Sequence, residues 1–117
     1  MTAVLDVADM LYDGIPDHAG LPEAAATDRY WQAALLMLGG FGPTADRVWH
    51  HVDRHGIAFA AMVEEPWSSG ELLVIRVARA LFTGDEYVGS LTELAFRLDS
   101  RFWDRLTAAL GVLRNGL

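Results

Sequence analysis

The chain contains no cysteine and no lysine. Without thiols, disulfides, thiolate zinc sites, cysteine nucleophiles and ordinary iron–sulfur clusters are all excluded. The missing lysines leave nine arginines as the only cations, a bias that reads as genome composition and carries no functional weight. Long apolar runs are also absent. Ala33 to Gly42, and Leu72 to Ile75 with Val77 and Ala78 beyond Arg76, fall well short of the roughly 20 residues a bilayer requires. The opening Met1-Thr2-Ala3-Val4-Leu5-Asp6 lacks the basic region of a signal peptide, and Asp6 and Asp9 interrupt its apolar stretch. These absences predict a cytoplasmic protein with no membrane span.

What is present suits one core. The 117 residues are 52% hydrophobic and include four Trp and five Phe, enough for a single compact domain over residues 1–117. Charge is unevenly spread. Residues 1–67 hold ten acidic side chains against Arg29, Arg47 and Arg54, whereas residues 68–117 hold six of each sign. The net charge of −7 therefore lies entirely in the first part.

Hydrophobic spacing predicts an all-α bundle of about six helices. Thr2 caps a first helix through about Asp13, with Val4, Ala8, Leu11 and Ile15 on one stripe, and Gly14, Pro16 and Gly20 end it. Pro22 suits the first turn of a second helix, which carries Tyr30, Trp31, Ala34, Leu35 and Leu38 to Gly39-Gly40. Its end, Ala33 to Leu38, is apolar all round and should be deeply buried. Thr44 caps a third helix that places Ala45, Val48, Trp49 and Val52 inward and runs to a left-handed stop at Gly56. Residues 57–63, all apolar, suit either a buried strand or a short helix, and their Ala and Met content favours helix.

The last fifty residues are the best punctuated. Ser68 and Glu71 form a capping box, and the helix they open, near residues 69–83, is apolar over most of its circumference and is expected to be central. Gly84 stops it. Ser90 and Glu93 open the next helix. The leucines beyond keep one helical phase through Asp99-Ser100, so one long helix or two would explain them. Asp and Ser prefer caps, which favours a break there and a close at Gly116.

Several clusters have chemical potential. Asp6, Asp9 and Asp13, with Asp17 beyond, give an acidic face that is either plainly solvated or a docking surface for a basic partner. His51 and His55 fall at the i, i+4 spacing that can present two imidazoles to a metal, and Asp46 with His50 makes a second such pair. Further ligands are not evident, so no metal or cofactor is expected. Ser68, Ser69 and Gly70 could face an anion at a helix start, but capping accounts for them. Trp31 and Trp49 belong to apolar faces. Trp67, in a turn after Pro66, and Trp103, off the main leucine stripe beside Phe102, are with Phe102 the candidate anchors for a protein partner or a second copy.

The segment Leu91-Thr92-Glu93-Leu94-Ala95, with Leu98 and the pair Gly116-Leu117, resembles the helix-turn-helix of winged-helix transcription factors. That resemblance, which covers residues 91–117, implies DNA binding with Ser100, Arg101 and Arg105 at the start of a reading helix and Arg97 near phosphates. Asp99, Asp104 and the acidic balance of the chain oppose it. The residues as a whole are read as a non-enzymatic regulatory or adaptor protein that binds proteins and self-associates. DNA binding is the alternative, and a ligand carrier or enzyme with an apolar pocket lined by Trp49, Phe59 and Trp67 is a third.

Overall fold

The computed structural model describes residues 11, 21, 23–84 and 90–117. The expected first helix, the acidic face of Asp6, Asp9 and Asp13, and the connection over residues 14–20 lie outside the described residues, except Leu11, which is buried in the core. The rest is mostly helical and forms a single compact domain around one hydrophobic core.

A one-turn helix, α1 (Ala24–Thr27), precedes α2 (Arg29–Leu38). The expected continuous helix breaks at Asp28. Its backbone is extended and its carboxylate accepts from the amides of Tyr30 and Trp31 at 2.8 and 3.3 Å, so a new N-terminus forms there. Every residue from 31 to 38 is buried, as all-round apolarity requires. A 3-10 turn (Gly42–Thr44) leads into α3 (Ala45–Trp49).

Here the structure corrects the expected third helix. It ends at Trp49, and the chain forms a short antiparallel hairpin, β1 (Val52–Asp53) with β2 (Gly56–Ile57), pairing Val52 with Ile57. The Asp53 carboxylate accepts from the amides of His55 and Gly56 at 2.7 and 3.2 Å. This closes the turn with side-chain bonds that a helix through the same residues would forgo. Residues 57–63 then divide between strand and α4 (Phe59–Met62).

The C-terminal helices follow their caps. In α5 (Ser69–Thr83) both arms of the capping box are made, Ser68 Oγ accepting from the Glu71 amide and Glu71 accepting from the Ser68 amide, each at 3.1 Å. Gly84 ends the helix in the left-handed conformation at φ 82°. Ser90 caps α6 (Leu91–Arg97), Asp99 caps α7 (Ser100–Asn115), and Gly116 closes it. Between them Leu98 is extended at ψ 131°, so residues 91–115 form two helices.

The long helix α5 contributes six buried apolar residues, and α2 packs against both α5 and α7. The α2–α7 contact is close. A Cβ on Gly40 would stand 2.7 Å from Phe102 Cε1 and 2.8 Å from Arg105 Cδ. Arg105, expected at the surface, is only 4% exposed, and its Nε donates to the carbonyl of Leu36. That carbonyl belongs to the last turn of α2, where helix geometry leaves acceptors unpaired. The amides of Gly39 and Gly40 go instead to Leu35 and Met37.

Two expected outcomes follow. Gly40→Ala forces Phe102 and Arg105 apart and should cost about 1–3 kcal/mol of unfolding free energy. Arg105→Met keeps the packing volume but strands a buried carbonyl, at a cost of about 1–3 kcal/mol. Urea unfolding followed by Trp fluorescence measures both.

Candidate functional site

Six large apolar side chains are exposed among the described residues: Tyr30, Leu91, Phe96, Trp103, Leu110 and Leu117. Four of them, all but Phe96 and Leu117, line a single groove of about 770 Å³. Its walls come mainly from three helices, with Tyr30 of α2 also lining it. On α5, Val77, Ala80 and Leu81 recur at helical spacing down to Gly84; on α7, Trp103, Leu106, Leu110 and Leu113 do the same. The α7 row spans about 15 Å at 1.5 Å per residue. The remaining wall is α6, through Leu91, Thr92, Leu94 and Ala95. Among the described residues, the Tyr30 phenol is the one ionisable side chain that lines the groove.

The groove lies where α6 is short and the chain is extended at Leu98 before α7 begins. Of the α6 residues only Leu94 is buried, and Leu91 stands 84% exposed. The uninterrupted leucine stripe predicted from sequence therefore holds from Leu94 through Leu98, Phe102, Leu106 and Ala109 but not at Leu91. A Cβ on Gly84 would stand 3.6 Å from Tyr30 Cε1, at ordinary van der Waals contact.

A second cluster is polar. Arg47 donates to Glu65 at 3.4 Å and to the Pro66 carbonyl at 2.9 Å, and its guanidinium lies 4.0 Å from the centre of the Trp67 ring. His51 Nε2 bonds to the other Glu65 oxygen. The Trp67 indole donates to the Met62 carbonyl at 2.7 Å. These bonds tie α3 to the turn after α4, and each polar group is engaged within the chain.

The individual expectations divide accordingly. Trp103 is 43% exposed on the groove wall. Phe102, expected beside it as an anchor, points the other way into the core, edge-on to Phe41 at 5.5 Å. Trp67 is half-buried between Phe41 and Arg47. Trp49 and Phe59 are core residues, and among the described residues the Trp49 indole nitrogen is buried with no hydrogen-bond partner. Ser100 and Arg101 are exposed, with the Arg101 guanidinium 5.0 Å over the Phe102 ring, whereas Arg105 is held in the core and cannot reach a base edge. His51 and His55 do not share a helix face, because the hairpin intervenes: His51 is bound to Glu65 and His55 sits exposed in the turn. Among the described residues no group of three metal-ligating side chains gathers, and no helix is long and apolar enough to cross a membrane. No protein-family model matches the chain, no curated protein is significantly similar to it, and no solved structure matches it.

The polar cluster leaves a pH signature. The bond from His51 holds the Glu65 carboxyl below its ordinary value against the opposing effect of burial, with Arg47 acting in the same sense as His51. Burial pushes the Glu71 carboxyl up, but bonds from Ser68 and Thr44 and the charge of Arg47 outweigh it and hold that group low as well. Groups with depressed folded-state values stabilise fully above the ordinary value of 4.5 and lose that contribution as pH falls through the folded-state value. Melting temperature should therefore drop on acidification below about pH 4.5. The Glu65→Gln variant should melt lower at pH 7 but lose less on acidification, as circular dichroism melts across pH 3–7 would record.

Proposed function

We propose that the chain is a small non-enzymatic regulatory or adaptor protein of the cytoplasm that acts by protein–protein binding and pairs with a second copy of itself through the α5–α6–α7 groove. The observation that carries this reading is the gathering of four of the six large apolar side chains exposed among the described residues into one groove whose described lining carries no full charge. Scattered surface hydrophobes are ordinary, but a contiguous apolar patch is a mark of an interaction surface. Leu91 at 84% and Leu110 at 53% exposure leave the groove open along its length. Such openness suits another protein surface better than the enclosed burial a small ligand requires.

Charge supports a second copy as the occupant. The groove lies mainly on residues 77–113, within the half of the chain whose charges balance, while residues 1–67 carry the whole −7. Two copies meeting through the groove avoid the repulsion they would meet through their acidic halves. A basic partner would be drawn to the other half.

Sedimentation at micromolar concentration should give twice the chain mass, and a strictly monomeric species would sink the proposal. Truncating a central aromatic anchor typically costs about 2 kcal/mol, so Trp103→Ala should weaken association about 30-fold. Its melting curve at high dilution should change little, because the side chain is partly solvated in the single chain.

A further inference from the structure

None of the described residues fills the groove, and a residue suited to fill it protrudes from the helix that forms its third wall. Phe96 is 84% exposed on α6, next in sequence to Ala95, which lines the groove. We infer that the surface is self-complementary: Phe96 of each copy enters the groove of the other, between Trp103 and Leu110, about a two-fold axis running beside α6. The inference rests on the self-association reading and adds to it the residue that one copy presents and the place that receives it.

Three observations converge on this arrangement. A two-fold interface uses one patch on both partners, so a knob adjoining its own groove is brought opposite the partner's groove when the axis passes between them. Phe96 and Leu117 are the two exposed large apolar side chains that the groove does not already include, and of these Phe96 is on a groove-forming helix. Among the described residues the receiving wall carries the Trp103 indole and no full charge, so an entering phenyl ring meets an aromatic partner and no described ion is desolvated.

The test uses four samples of the full chain in sedimentation equilibrium: wild type, Phe96→Asp, Leu110→Asp, and an equimolar mixture of the two variants. Wild type should dimerise, and each variant alone should associate at least about tenfold more weakly. The mixture should recover intermediate affinity, because Phe96 of the Leu110→Asp chain still meets the intact groove of the Phe96→Asp chain. A Phe96→Asp chain that dimerises as well as wild type, or a mixture no tighter than either variant alone, overturns the reciprocal contact and leaves self-association standing. A monomeric wild type overturns both. In that case, binding of anilinonaphthalene sulfonate that is lost in Leu110→Asp would reassign the groove to a small apolar ligand. Circular dichroism checks folding, and Phe96→Ala with Leu110→Ala replaces any Asp variant that does not fold.

Discussion

The fold depends on the antiparallel contact of α2 with α7, and that contact is secured by arginines that cap the opposite helix. Arg105 of α7 donates to Leu36 in the last turn of α2, and Arg29 of α2 reaches the carbonyls of Leu113 and Arg114 at the end of α7, each at 3.5 Å. A helix C-terminus carries partial negative charge and unpaired acceptors, so a guanidinium there satisfies both its hydrogen bonding and its field. The two contacts differ in weight. Arg105 is buried, so losing it would strand a polar group away from water, whereas Arg29 acts at the surface, where solvent can replace it. Gly40 permits the buried contact, since any larger residue would occupy the space of Phe102 and Arg105.

Much of this architecture is legible from local chemistry. Ser68 with Glu71, Ser90 with Glu93, and Asp99 state their helix starts in side-chain terms, and each accepts a backbone hydrogen bond in the folded chain. Gly84 and Gly116, at φ 82° and 77°, state the ends. Asp28 and Asp53 carry equally local signals that hydrophobic periodicity conceals. Asp28 lies inside an otherwise continuous apolar pattern, and the Asp53-x-x-Gly56 spacing of a turn is hidden by the inward phase of Val48, Trp49 and Val52.

The site is less legible, for physical reasons that differ by residue. Trp103 stands off the main apolar stripe and is found by phase alone. Leu91 shares the phase of a stripe that is buried from Leu94 onward but not at Leu91 itself, because the chain is extended at Leu98 and α6 does not continue into α7. Arg105 shows the limit most clearly. Charge places it at the surface, yet its long stem packs in the core while its head finds a helix end that only the tertiary fold supplies.

The same residue links the fold to the proposed interface. On α7 the inward face presents Phe102, Arg105, Ala109 and Val112 to the body of the protein, while Trp103 and Leu110 face the groove and Leu106 serves both. A helix packed on one neighbour needs an apolar stripe of roughly 100°, and α7 carries more than that. The excess is what the groove exposes. Because Arg105 and Phe102 hold α7 from behind, the outer row is positioned by contacts independent of whatever binds it. An interface built on such a row is presented ready-formed, so association need not overcome the cost of ordering the helix that makes it.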